Sequence, residues 1–345
     1  MATINRYKTS DIVISTDKAT TSTWSDNTNN LSSYFSSSIQ SDTTAPNSQG
    51  NFFIEVYHQH TSSISASVQC ALSYGHRKGS GSVDFTNDTG SFGFSATRCI
   101  YDQYRQLVYG DETQNFTFDT HTPDDIYVIN VNRARYRHNL KPGSLNLHLN
   151  RTGVHTLKLT DDSVTATGSA VLTNIGRQYN IVSGADGVML GTSVGQVNST
   201  SSYGLFYPDA GFIILNPDAI HHGPINIDAT LSPTKGSNSN GKNPTKLFNA
   251  LKNAAHFIVD SEEKITSQYY FTRVKNFEFN YTTNPSFIDN QGNLNHTTMI
   301  DMPQVFITTV GLYNDNGDLL AVAKMSQPIA KDFTKEALLR VKLDY

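Results

Sequence analysis

Residues 303–345 read PQVFITTVGLYNDNGDLLAVAKMSQPIAKDFTKEALLRVKLDY, and this stretch decides the fold class. Two apolar runs, at 305–313 and 319–325, flank Asn314-Asp315-Asn316-Gly317-Asp318. Asn and Gly tolerate positive φ, so the pattern predicts a β-hairpin closed by a tight turn. The last run alternates, with Leu339, Val341, Leu343 and Tyr345 on one face and Arg340, Lys342 and Asp344 on the other. Period-two alternation predicts a half-buried strand that reaches the last residue.

The same signature recurs upstream. Phe277, Phe279 and Tyr281 alternate and predict a strand. Apolar runs at 205–207 and 212–215 flank Pro208-Asp209-Ala210-Gly211, the composition of a tight turn, and predict a second hairpin. Strands are also expected at 126–131, at Leu145, Leu147 and Leu149 after the Pro142-Gly143 turn, and in short pieces at 157–159 and 170–172. Ile54 and Val56, then Ala66, Val68, Cys70 and Leu72, give two more, and Ile12-Val13-Ile14 adds one near the start. Two stretches read as helices instead. One covers 95–109, free of Gly and Pro, with Ile100, Tyr104 and Leu107 at helical spacing. The other follows Asn243 as cap and Pro244 in the first turn, with Leu247, Phe248, Leu251 and Ile258 as its apolar stripe.

The expectation is therefore a mainly β protein with antiparallel sandwich- or barrel-like sheets, two or so short helices and long polar loops. Three regions are expected. Residues 1–50 form an extended N-terminal arm, whose polar run 22–51 either wraps the body or orders on a partner. Residues 51–231 form a β-rich body. After the polar stretch 232–243, residues 244–345 form a C-terminal helix plus antiparallel sheet, able to pack on the body as one unit.

Composition narrows the function classes. The chain has 345 residues, a net charge of −4 and only 16% charged residues, against about a quarter in ordinary globular proteins. Ser, Thr, Asn and Gln carry the polarity, which suits β structure and protein contacts. The densest basic stretch, Arg133-Ala134-Arg135-Tyr136-Arg137-His138, reads as a solvated turn or a contact with an acidic neighbour, not a nucleic-acid face. The start, MATINRYKTSDIVIS, lacks an apolar signal core, and no apolar run approaches a membrane span, so cytoplasmic synthesis is expected. Cys70 and Cys99 make no disulfide framework; Cys70, in its alternating strand, reads as a buried thiol, though a Cys70–Cys99 bridge is open on sequence grounds.

Catalytic patterns are missing from the sequence. No phosphate loop, dinucleotide fingerprint, nucleophile elbow or zincin helix occurs. The paired acids Asp124-Asp125, Asp161-Asp162 and Glu262-Glu263 sit in turn-like or helix-start contexts. His58-Gln59-His60 would point two imidazoles the same way from a strand, but no third metal ligand is close, so a surface pair is the plainer reading. Tyr269-Tyr270-Phe271 offers ring faces that sugars or bases could stack on, against core and interface packing as the simpler account. No catalytic, cofactor-binding or metal-binding residue is assigned, no cofactor is expected, and the chain reads as a non-enzyme.

Three segments, YGLFYPDAGFIILNPDA at 203–219, ITSQYYFTRVKNFEFNYTTNPSF at 265–287 and the stretch 305–345, resemble virion structural proteins of large contractile-tailed bacteriophages of the T-even-like type. The most specific part is FITTVGLYNDNGDLLAVAKMSQP. The resemblance implies a tail or baseplate location in the virion, and partners among other tail proteins and copies of the same chain. It implies no nucleic acid, membrane or small-molecule substrate. The implied function is structural, in the baseplate wedge or fibre-attachment periphery. The alternatives are a neck or collar protein, a receptor- or glycan-binding fibre or spike protein, and a depolymerase.

Overall fold

Strands that are apolar on both faces need cover on both sides, and this requirement organises the larger part of the chain. The computed structural model describes residues 5–36, 53–79, 96–150, 156–164, 170–189, 202–221 and 243–345. In chain order the first strands are β1 (Ile12–Ser22), β2 (Phe35–Ser36), β3 (Phe53–Tyr57), β4 (Val68–His76), β5 (Asp125–Val131), β6 (Asn139–Leu140), β7 (Asn146–Asn150), β8 (Thr156–Asp161) and β9 (Val171–Thr173). They continue as β10 (Gly176–Ala185), β11 (Val188–Met189), β12 (Gly204–Tyr207), β13 (Phe212–Leu215), β14 (Phe257–Ile258), β15 (Asp260–Val274), β16 (Val305–Tyr313), β17 (Leu319–Lys331) and β18 (Ala337–Asp344). The helices are α1 (Ala96–Tyr109), α2 (Pro217–His221) and α3 (Asn243–Ala254). The expected mainly β, antiparallel class with a few short helices is the observed one. The chain divides into a body, Ala19–Glu263, and a second unit made of Met1–Lys18 with Lys264–Tyr345.

In the body, a curled half-barrel sheet runs in the order β14-β7-β8-β10-β12-β13-β5-β4-β3-β2, with β9 and β11 added on β10. Its central strands alternate between two cores. Ile126 and Val128 of β5, Leu205 and Tyr207 of β12, and Phe212 and Ile214 of β13 pack with Tyr101, Tyr104 and Val108 of α1 and with Phe116 and Phe118. The intervening Tyr127, Ile129, Val131, Phe206, Ile213 and Leu215 join the other core, which α3 enters through Leu247, Phe248, Ala250 and Leu251. Helix α3 packs on β7 near one end of the sheet and on β3 and β4 near the other, so it fills the hollow of the curl. The helix expected to open the C-terminal region thus belongs to the body. Ile258, expected on its stripe, sits in β14, and the side chain of Asn243, expected as a cap, is buried with no hydrogen-bond partner among the described residues.

The described part of the polar run after β1 wraps the body. Trp24, Leu31 and Tyr34 are buried in the α3-side core. The Trp24 indole N–H donates to the Phe257 carbonyl at 2.8 Å while its ring meets the Phe257 ring at 4.8 Å. Residues 37–52, and all but Asn243 of the loop expected at 232–243, lie outside the described residues. Both cysteines are free; burial pushes the Cys70 thiol up to about 12.

In the second unit, β15 lies between β1 and β18. The β15–β18 ladder runs from Ser267↔Asp344 to Val274↔Ala337. Leu339 and Val341 are buried as the alternation predicts, while Tyr345 is exposed. Strands β16 and β17 form a separate two-stranded ribbon, and Gly317 takes the positive φ of +85° that its turn requires. The strand expected at Phe277, Phe279 and Tyr281 is absent. Glu278 closes a local turn instead, its N–H donating to the Lys275 carbonyl while its carboxylate accepts from the Lys275 N–H at 2.9 Å, and Phe279 is at φ +54°. That turn outcompetes the alternation and leaves the three rings exposed.

Truncating Leu247 to Ala removes a fully buried side chain from the hollow and is expected to cost about 2–5 kcal/mol, measured as a lower denaturant midpoint with α3 helicity as the signal. Deleting residues 339–345 strips most of the ladder partner from β15; the expected product is aggregated, and a monodisperse, fully folded protein in size-exclusion chromatography would show that β18 is dispensable to the unit.

Candidate interaction surface

A lone two-stranded ribbon buries little and is marginal in water unless something covers it. On one face of β16–β17 the pairs Val310↔Ala323 and Leu312↔Ala321 are at least partly buried. The opposite face carries Gly311↔Val322 and Tyr313↔Leu319, with Leu320 in the bulge beside them. Tyr313 and Leu319 close over Gly311, where an added Cβ would meet the tyrosine ring at 3.0 Å. The result is a contiguous apolar tip next to the turn, with Leu320 68% and Val322 54% exposed. Among the described residues no strand pairs with either outer edge of the ribbon, so unsatisfied N–H and C=O groups line the same element. Chemically this surface supports strand addition and apolar packing.

The ring pair Tyr269 and Tyr270 is divided between faces, as neighbours in a strand must be. Tyr269 lies under two cations, Arg340 at 5.6 Å and Lys342 at 5.8 Å from its ring centre. Tyr270 meets the edge of Tyr7 at 5.5 Å and donates to Gln268. They form no shared stacking platform.

Histidines and acids singled out in the sequence are used locally. His60 Nδ1 bonds to the Ser62 hydroxyl at 2.7 Å, whereas His58 is buried near Ser67 and Gln69, so the two imidazoles do not converge. Among the described residues no group of three His, Cys, Asp or Glu could hold a metal ion. Asp125 accepts from the Tyr74 hydroxyl at 3.0 Å, Asp161 from the Gly143 N–H at 2.8 Å, and Glu262 from the Asn139 amide at 3.4 Å. Each buried acid is an anchor for a neighbouring turn or strand. In the basic stretch, Arg133 covers the Tyr136 ring at 4.7 Å, and Arg135 donates to the Ser25 hydroxyl.

That last contact belongs to a feature that sequence reasoning missed, a polar cleft of about 380 Å³ in the body. Its wall is held from behind by the buried Gln69, whose amide donates to the Ser25 hydroxyl at 2.9 Å and to the Ser67 carbonyl at 2.8 Å, while its oxygen accepts from the Ser25 N–H at 3.0 Å. The two serine hydroxyls meet at 2.7 Å. The described lining includes His58 and Arg135 but no Asp or Glu, so the cleft offers hydrogen bonds and positive charge rather than carboxylate acid–base chemistry. Its only local signal was the lone Trp24 in a polar run; the rest comes together from distant segments.

A second missed pair is His148 and His256, stacked at 4.0 Å between ring centres. Desolvation, then the neighbouring His256 and Lys158, hold the His148 imidazole down to about 4; desolvation and Lys158 also lower His256, against the opposing pull of Asp186.

Compared with protein-family models, curated proteins and solved structures, the chain matches none.

The histidine stack sets a pH dependence. The unfolded chain protonates His148 near its ordinary value of 6.5, whereas the folded protein keeps it neutral down to about 4. Between these values the unfolded state binds more protons, so stability is present above 6.5 and falls as pH drops towards 4. His148→Gln is expected to flatten that part of a stability-versus-pH curve; an unchanged slope would assign the dependence to other groups.

Proposed function

We propose that the chain is a structural component of a bacteriophage tail, in the baseplate wedge or fibre-attachment periphery, and that it works by holding neighbouring tail proteins together. The observation that carries the assembly role is the β16–β17 ribbon, whose apolar tip and open edges form one element. The placement in a phage tail rests on the sequence resemblance at 203–219, 265–287 and 305–345. A charge-poor surface rich in uncharged polar residues suits the same role. So does the use of the buried acids as local anchors. No helix among the described residues is long and apolar enough to cross a membrane. The mechanism is mechanical: a partner adds a strand to the ribbon edge and covers its tip, which converts an exposed apolar surface into buried area.

A receptor- or glycan-binding role is the second reading, favoured by the cleft lined by Ser25, Ser67 and Arg135, whose hydroxyls and guanidinium suit a neutral or anionic polyol.

The ribbon supplies the test. Replacing Leu320 and Val322 by Asp alters exposed positions only, so folding stability should change by less than about 1 kcal/mol in total. Incorporation into tails, read by quantitative mass spectrometry of purified particles, should fall roughly tenfold or more. Wild-type incorporation of the double variant removes the ribbon from the assembly role. Absence of the wild-type chain from particles removes the tail assignment itself.

A further inference from the structure

A lysine ammonium is almost never fully buried without a carboxylate beside it, because desolvating the charge costs more than neutral acceptors return. Lys331, the last residue of β17, is 0% exposed. Its Nζ donates to the Asn280 side-chain oxygen at 2.7 Å, the Asn276 carbonyl at 2.9 Å and the Asp332 carbonyl at 3.0 Å. All three acceptors are neutral. The Asp332 carboxylate is turned to the Thr334 N–H and hydroxyl and to Lys335, and Glu336, which feels the Lys331 charge, is held by Arg273 at 2.7 Å.

The amide that Lys331 faces is itself buried and fixed. Asn280 is 5% exposed, and its Nδ2 donates to the same Asn276 carbonyl at 2.6 Å. The amide carbon lies one C=O bond, about 1.23 Å, behind the oxygen that Nζ already touches. The terminal torsion of Asn is broad, so a small turn of the amide presents that carbon to the amine. Amine and amide are thus held together, out of water, by a common acceptor, which is the proximity that makes a sluggish acyl transfer proceed.

We propose that Lys331 and Asn280 become joined by an intramolecular isopeptide bond. Nζ gives up two of its three protons and bonds to Cγ of Asn280, the Cγ–Nδ2 bond breaks, and the new amide links the two side chains. The nitrogen of Asn280 takes up both protons and departs as ammonium. Nothing is oxidised or reduced, and no co-reactant is needed. The product has no buried charge. The bond ties the loop after β15 to the base of the ribbon across a sequence separation of 51. The second unit gains most from such a tie, since its buried apolar side chains among the described residues are few: Val274, Phe287, Val305, Leu312, Leu339 and Val341.

The test is mass spectrometry of the full-length protein, denatured and digested with trypsin. Residues 276–324 contain no Lys or Arg before Lys324, so a linked chain releases this peptide joined to the one that holds Lys331, lighter than the sum by one ammonia. Recovery of that branched species from wild type, and of separate full-mass peptides from Asn280→Ala and Lys331→Met, is the expected result. Quantitative recovery of separate peptides at full mass from the wild-type protein overturns the proposal, and this readout stands even where a variant fails to fold.

Discussion

The body depends on one constraint: a strand whose side chains are apolar on both faces must be covered on both faces. Strand β5 sets it, with Ile126 and Val128 on one side and Tyr127, Ile129 and Val131 on the other. Helix α1 answers the first requirement. The second cannot be met by one helix against a flat sheet of this width, so the sheet curls until α3 touches strands near both of its ends. The wrap of residues 24–34 then completes the cover, with the Trp24 ring on Phe257 and its N–H on the Phe257 carbonyl. The buried acids follow from the same enclosure, since each must find donors inside it.

The second unit obeys a different balance. Its sheet is narrow, its ribbon has no third strand among the described residues, and many of its large apolar side chains face outwards, among them Phe277, Phe306 and Leu338. Polar grips take over where a core is thin. Tyr7 donates to or accepts from Thr272, Arg273 pairs with Glu336, and Lys331 gathers three oxygens at the base of the ribbon. Such a unit leaves apolar surface exposed because its own packing does not use it.

The elements legible in the sequence were those set by local pattern. The hairpin expected over 305–325, whose second strand runs on to Lys331, the terminal strand, the hairpin expected over 205–215 and helix α1 each carry their period and turn residues within a short window. The failures are where distant or competing contacts decide. Phe277, Phe279 and Tyr281 alternate perfectly, yet the Lys275–Glu278 turn takes the backbone. Helix α3 was visible, but its allegiance to the body depends on β3, β4 and β7, far away in the chain. The polar cleft was invisible for the same reason: Ser25, His58, Ser67 and Arg135 share no motif and meet only after the sheet has curled. The Lys331–Asn280 pair is of this kind too, since nothing in either neighbourhood marks a lysine for full burial.

The ribbon's pairing slips between Ile307 and Thr309: β16 advances two residues while β17 advances five, from Ile329 back to Lys324. The extra residues include Pro328, which has no N–H to donate. The open edge of β17 is therefore broken into short runs rather than one long template. A growing stack of identical strands needs an uninterrupted row of donors and acceptors, and the β17 edge cannot supply one. An exposed apolar ribbon thus carries, in the kink of one of its own strands, a brake on pairing edge to edge with further copies along that side.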